Sequence, residues 1–222
     1  MELLIATTNA GKIKEIEHEL DAAGLRALGV HARGLKDLPA GWVDCAEDQP
    51  TFIGNAAKKA RHFARISGML TLADDSGLCV DALGGAPGVI SARYAGEPCD
   101  NAANNAKLLR EMAAVADGSR GARFVCAMAL AMPGRKAEAV GHTEAAIDLH
   151  VVMDEIVGEI LRAPRGGNGF GYDPLFLHPP LGKTTAELEM AEKSQVSHRG
   201  KALRRMIEWL RAALPRLREP GQ

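Results

Sequence analysis

Four stretches of this sequence concentrate side chains that can bind or activate a ligand. In LADDSGLCVDALGGAPGVISARYAG, Leu72 to Gly96, an apolar run over Met69–Ala73 ends in two adjacent carboxylates, Asp74 and Asp75. Like charges side by side cost free energy unless something positive neutralises them. In an extended chain the two point to opposite faces, so one of them faces any given site. Glu47 supplies a third carboxylate upstream. Mg²⁺ is commonly held by one or two carboxylates plus substrate phosphates, so a cation between Asp75, Glu47 and a polyphosphate accounts for the cluster. A turn in which Asp74 or Asp75 caps a backbone N–H accounts for it equally well.

The stretch ATTNAGKIKE, Ala6 to Glu15, lies where a strand is expected to turn into a helix. Backbone N–H groups at a helix start favour an anion, and Lys12 adds a positive charge. The stretch misses the Walker A pattern, because Ala6 replaces its first glycine and Ile13 cannot ligate Mg²⁺. The plain structural alternative is a helix capped by Thr8 or Asn9, with Lys12 in solvent. In GGNGFGYDPLF, Gly166 to Phe176, glycines allow close backbone approach and Phe170 or Tyr172 can stack on a base. Three of the chain's seven Phe and Tyr fall in this stretch. Asp173, biased to extended backbone by Pro174, can accept hydrogen bonds from a base edge. A tight turn with its aromatics packed into the core fits the same letters. In AEKSQVSHRGKAL, Ala191 to Leu203, Ser197 reads as the N-cap of a last helix, and Lys193, His198 and Arg199 gather donors suited to a phosphate or a carbonyl oxygen.

The periodicity supplies elements to hold these stretches. Strands are expected over Glu2–Thr7, Leu25–His31, Met69–Ala73, Leu78–Leu83 and Ala122–Met132, with further strand material over Glu138–Leu161. Helices are expected over Lys12–Ala23, stopped by Gly24, over Thr51–Ser67, over Asn101–Ala116 and over Ser197–Leu214. The last turns Leu203, Met206, Ile207, Leu210 and Leu214 inward. Strands alternating with helices give an α/β class, helices on a central sheet. No Gly-, Ser- or Pro-rich linker divides the 222 residues, so they are expected to form one domain.

Composition excludes several functions. Lys plus Arg number 27 against 28 Asp plus Glu, a net charge of −1, which argues against a nucleic-acid coat or a membrane-surface role. The locally basic end, from Lys193 through Arg218, reads as a solvated helix face. The four cysteines form no C-x-x-C pair, and the seven histidines have no metal spacing, so a reduced cytoplasmic protein without zinc is expected. The start MELLIATTNAGK lacks the basic region and long apolar core of a signal peptide, and Phe124–Met132 falls short of the about 18 residues a membrane span needs.

In order along nearly the whole chain, ATTNAGKIKE, TFIGNAAKKA, LADDSGLCVDALGGAPGVISARYAG, GFGYDPLF and AEKSQVSHRGKAL resemble the inosine triphosphate pyrophosphatase family of nucleotide house-cleaning enzymes. The resemblance implies an elongated mixed sheet flanked by helices, in two lobes around a deep nucleotide-binding cleft. It implies Mg²⁺-dependent hydrolysis of ITP, dITP and XTP between the α and β phosphates, and a homodimer. Carried over residue by residue, Thr7, Thr8, Asn9, Ala10, Gly11 and Lys12 would hold the triphosphate. Glu47 and Asp75 would hold the metal, and Asp75 would also be the general base. Ser76 would touch the substrate, and Phe170, Gly171, Tyr172, Asp173, Lys193, His198 and Arg199 would enclose the base and phosphates. Two departures stand out. Gly54 occupies a position where the family usually has Glu, and His142–Val157 is longer than usual.

Base choice then follows from hydrogen-bond polarity. A 6-keto purine offers an acceptor where adenine offers a donor, so donors from His198, Arg199 or backbone would reject adenine. Three other readings compete: a related septum-associated type of pyrophosphatase acting on modified nucleotides, a sensor that binds nucleotide without cleaving it, and a nucleic-acid binder using the basic last helix.

Overall fold

The computed structural model describes residues 1–133 and 147–218. Along the chain run β1 (Glu2–Ile5), α1 (Ala10–Ala22), β2 (His31–Gly34), α2 (Phe52–Ser67), β3 (Leu70–Val80), α3 (Asn101–Glu111), β4 (Gly121–Pro133), β5 (Ile147–Ile160), β6 (Phe176–His178), β7 (Lys183–Thr184), α4 (Met190–Val196) and α5 (His198–Arg218). Among the described residues the strands form one seven-stranded mixed sheet in the order β2-β1-β3-β4-β5-β6-β7. β1 runs parallel to β2 and β3, while β6 is antiparallel to β5 and β7. The expected α/β class with helices on a sheet is the one observed.

The helix starts are set by local chemistry. Asn9 Oδ1 accepts the Lys12 N–H at 3.1 Å and begins α1, and Thr51 Oγ1 accepts the Gly54 N–H at 3.0 Å and begins α2. Gly68, at φ 66°, ends α2 in a left-handed conformation that a side chain would oppose. Asp100 caps α3, and Ser197 Oγ accepts the Gly200 N–H at 3.0 Å in the first turn of α5.

Several expected boundaries are corrected. Of the strand expected over Leu25–His31, only His31 is in a strand. Leu25 N–H bonds to Leu20 O and Val30 N–H to Leu25 O, so this apolar run coils and buries Leu25 and Val30. The strand is His31–Gly34, an exposed edge without a hydrophobic signature, fixed by pairing Glu2 with His31 through Ile5 with Gly34. The two short strands expected around the acidic pair are one strand, β3, and residues 81–83 form a 3₁₀ turn. The acidic pair therefore lies inside a strand and not at its end. α3 stops at Glu111, and the buried Arg120 guanidinium takes the Met112 and Val115 carbonyls just beyond it. Expected strand residues 138–146 lie outside the described residues, and Ile147–Ile160 is strand as read.

The described chain divides into two compact units: Met1–Asp75, Ala127–Met153 and Leu203–Gln222 form the first, and Ser76–Cys126 and Asp154–Ala202 the second. The first core is rich in alanine. Ala56, Ala60 and Ala64 of α2 and Ala127, Ala129 and Ala131 of β4 surround Phe63, which is 0% exposed. Small side chains bring helix and sheet backbones close together, which positions α2 tightly against β3. The second core gathers Leu78, Val80, Leu108, Met112, Phe124, Ile156, Leu175 and Phe176.

The expected inward face of the last helix is borne out: Leu203, Met206, Ile207, Leu210 and Leu214 are buried. Several of its basic residues are engaged locally. Arg205 donates to Met153 O at 2.8 Å, Arg211 to Ala23 O, and Arg204 pairs with Glu19.

Candidate active site

The first unit assembles the carboxylates. Alternation along β3 sends Asp74 and Asp75 to opposite sides, and each meets a different helix. Asp74 is 1% exposed and pairs with the Lys12 ammonium from the first turn of α1. Asp75 is 4% exposed, and its Oδ2 accepts a 3.0 Å hydrogen bond from Asn55 Nδ2 on α2. One helical turn further on, the Lys59 ammonium donates to the Glu47 carboxylate and, at 3.2 Å, to the Asp74 carbonyl. These cations and donors answer the cost of two adjacent carboxylates, and they explain why D-D-S-G continues a strand instead of turning.

Charge and burial compete at each group. Burial raises the Asp75 pKa from 3.8 to about 6. Lys12 opposes that rise, the negative charge of Glu47 adds to it, and Asn55 and Lys59 oppose it more weakly. Burial works against the Lys59 ammonium, but Glu47, with Asp74 and Asp75, outweighs it and holds the pKa above the ordinary lysine value.

The start of α1 adds a third component. Thr7 Oγ1 accepts the Asn9 N–H at 3.2 Å, and Asn9 caps the helix. Thr8, Asn9 and Ala10 are exposed and Gly11 and Lys12 partly so. The Ala10 and Gly11 N–H groups occupy the first helical positions, where no intrahelical acceptor exists.

The second unit assembles an aromatic and cationic group. Asp173, 3% exposed, accepts from Lys193 Nζ at 2.6 Å and from the Phe170 N–H at 2.8 Å through one oxygen, and from Thr185 Oγ1 at 2.8 Å through the other. The Lys193 ammonium lies 5.2 Å and the Arg199 guanidinium 5.5 Å from the Phe170 ring centroid. Arg199 Nη2 donates to Ser76 Oγ at 2.8 Å, and the His198 ring stacks on Phe124 at 4.8 Å. Gly169, at φ 75°, is obligatory here, because a Cβ would lie 2.1 Å from the Asp173 carboxylate.

The sequence alternatives thus separate. Of the two aromatics, Phe170 is held against the cations, whereas Tyr172 packs in the core, 5% exposed, with its hydroxyl donating to Ser91 O at 2.8 Å. Gly171, at φ 61°, turns the chain between them, and its carbonyl accepts from Asn105 at 2.9 Å. Asp173, read as an acceptor for a base edge, has both oxygens engaged within the protein. Lys193 belongs to α4, a helix not foreseen in the sequence, and not to the start of the last one. Asp48, a conceivable substitute for a carboxylate at position 54, pairs instead with Lys58 at 2.7 Å. Asn55 and Lys59 were missed. Their signal is the Asn-x-x-x-Lys spacing in TFIGNAAKKA, which puts a donor and a cation on one helix face.

The fit to a divalent cation rests on donor chemistry. Glu47 and Asp75 offer hard carboxylate oxygens, and Asp75 feels the negative charge of Glu47, which a cation nearby would offset. Other than such pairs, no group of three or more His, Cys, Asp or Glu suited to a metal occurs among the described residues.

Comparison with known proteins gives a consistent result. The Ham1 family model matches residues 3–209. A dITP/XTP pyrophosphatase of Geobacillus kaustophilus is 49% identical over 93% of each chain. Another, of Desulforamulus reducens, is 45% identical over 95% of this chain and 96% of its own. The solved structure of a HAM1 protein from Coxiella burnetii, 38% identical, covers 96% of this chain and 100% of its own with a TM-score of 0.78.

Proposed function

This chain belongs to the Ham1 family, and from that premise we propose that it hydrolyses the non-standard purine nucleoside triphosphates dITP, ITP and XTP to the nucleoside monophosphate and pyrophosphate. The observation that carries the chemistry is the buried Asp75, oriented by Asn55 and near enough to Lys12 and Lys59, which contact Asp74, to feel their positive charge. A carboxylate poised near 6 is well matched to accept a proton from water at neutral pH.

In this reading Asp75 removes a proton from the attacking water. Lys12 and Lys193 balance the charge that develops on the phosphates, and the first turn of α1, with Thr7, Thr8, Asn9, Ala10 and Gly11, offers N–H and hydroxyl donors to them. Phe170 stacks on the base, and Ser76, His198 and Arg199 supply donors toward a 6-keto edge. Asp173 keeps Lys193 and the Phe170 turn in place, and Tyr172 anchors that turn to the core. Glu47 and Asp75 would hold Mg²⁺, which when bound neutralises phosphate charge. The whole of 1–222 acts as one pyrophosphatase domain, and the protein works as a cytoplasmic homodimer, as the family resemblance implies. No described helix is long and apolar enough to cross a membrane, and nucleic acid is not a partner in this reading, because the net charge is −1 and Arg199, Arg204, Arg205 and Arg211 of α5 are engaged with the fold.

Pyrophosphate release from ITP, dITP, XTP, GTP, ATP and dTTP, with and without Mg²⁺, tests this. Mg²⁺-dependent release from the first three is expected. Equal release from ATP and ITP would overturn the base preference, and silence on all six would overturn the hydrolytic reading.

A further inference from the structure

The segment Glu47–Gln49 is fastened to α2 at three successive residues. The Glu47 carboxylate takes the Lys59 ammonium, Asp48 Oδ1 takes Lys58 Nζ at 2.7 Å, and the Gln49 N–H donates to Asn55 Oδ1 at 2.8 Å. The loop advances from 47 to 49 while its partners retreat from 59 to 55, so it lies antiparallel to the first turns of the helix. The next residue toward the helix start is Gly54. A Cβ there would lie 2.9 Å from Gln49 Cβ and 3.0 Å from Thr51 Oγ1. Real Cβ atoms do not approach that closely, and Gln49 Cβ is tied to the loop backbone, so the loop itself would have to move. Gly54 has ordinary helical backbone, so conformational freedom does not explain a glycine there, and glycine is the weakest helix former after proline. Space explains it.

We infer that Gly54 is the seat of the acidic loop: its missing side chain lets Gln49 lie against the first turn of α2 and so sets where the Glu47 carboxylate is held relative to Asp75. Asn55 completes the arrangement, since one end of its amide holds the Gln49 N–H and the other holds Asp75. Gly54 is thus a positioning residue for the two proposed metal ligands. Its role toward the metal rests on the function proposed above, whereas its role toward the loop does not.

Hydrogen–deuterium exchange of the full chain tests the seat without substrate, and Mg²⁺ titrations of pyrophosphate release from ITP test its consequence. Gly54→Ala is expected to speed exchange over residues 44–50 about tenfold, the effect of losing one hydrogen bond of the loop, with α2 beyond residue 56 and β3 unchanged. The Mg²⁺ concentration for half-maximal rate is expected to rise about tenfold, with kcat at saturating Mg²⁺ within about twofold of wild type. In a Gln49→Gly background, which removes the loop atoms a new methyl would meet and leaves only the Thr51 hydroxyl at 3.0 Å, Gly54→Ala is expected to add less than about twofold to either quantity. Unchanged exchange over 44–50 would overturn the inference, as would faster exchange shared by the whole of α2. A Gly54→Glu variant that needs less Mg²⁺ than wild type would also overturn it, by showing the position to be a vacant carboxylate site. If wild type leaves ITP intact, the proposed function fails while the exchange measurement still decides the seat.

Discussion

Asp75 is where burial, charge and chemistry meet most sharply. Its carboxyl titrates near 6 in the folded chain against 3.8 for a free one, so the folded state binds the extra proton more tightly than the unfolded state. The stabilisation from that proton is complete below about pH 4 and is lost as pH rises to about 6. Two pKa units correspond to about 3 kcal/mol. With divalent cations chelated, urea unfolding is therefore expected to show wild type losing on that order of stability relative to Asp75→Asn between pH 4 and pH 7. Under turnover conditions the sign reverses: Asp75→Asn is expected to lower kcat by about 10²–10⁴-fold, the usual contribution of a general base, with little change in KM. Near-normal turnover would remove Asp75 from that role. Gly169 offers a second test at this scale. In Gly169→Ala the new methyl collides with the Asp173 carboxylate, so Lys193 and Phe170 are displaced together, and KM for ITP is expected to rise at least about tenfold, the effect of losing a charge-assisted hydrogen bond. Glu47, Asp74, Asp75, Lys12 and Lys193 were legible from type and spacing, and Lys59 was not. What was hidden is pairing. That Lys12 meets Asp74, that Asp173 spends both oxygens inside the protein, and that Asn55 and Lys59 attend the acids depends on which helix packs on which side of β3.

Elements were legible where local chemistry and burial agree. The Thr51 cap, the alanine stripe and Gly68 all indicate α2, and the continuous apolar run of β4 indicates a strand buried on both faces. They were illegible where a partner overrules the letters. β2 is exposed and polar and exists because β1 pairs with it. β3 continues through two aspartates because lysines and an asparagine satisfy them. The short α4 is defined by its junction with α5, where Gly200 packs on the Ser194 carbonyl. A Cβ at Gly200 would fall 1.8 Å from that oxygen, so Gly200→Ala is expected to cost about 1–3 kcal/mol or more as overpacking, read as a melting temperature lower by about 3 °C or more. Thr51→Ala, which removes the cap of α2, is expected to cost about 1 kcal/mol in urea unfolding.

Across the whole molecule, a ligand that binds only the folded state raises its stability by mass action. At a hundredfold excess over Kd the gain is about 2.7 kcal/mol, so a non-hydrolysable dITP analogue with Mg²⁺ is expected to raise the calorimetric melting temperature by about 5–10 °C, and the matching dATP analogue far less. Equal shifts would place base selection outside this chain's binding step.

The path of the chain through its two units has a bearing on how the protein is made. The polypeptide passes between them four times, at Asp75–Ser76, Cys126–Ala127, Met153–Asp154 and Ala202–Leu203, so neither unit is a contiguous length of chain. The first, although it contains the N-terminus, lacks Leu203, Met206, Ile207, Leu210 and Leu214 of its own interior until the last helix has been translated. A growing chain therefore carries uncovered apolar surface in residues 1–75 until the last helix, about 130 residues further on, has been made, and that surface is the part a chaperone would need to shield.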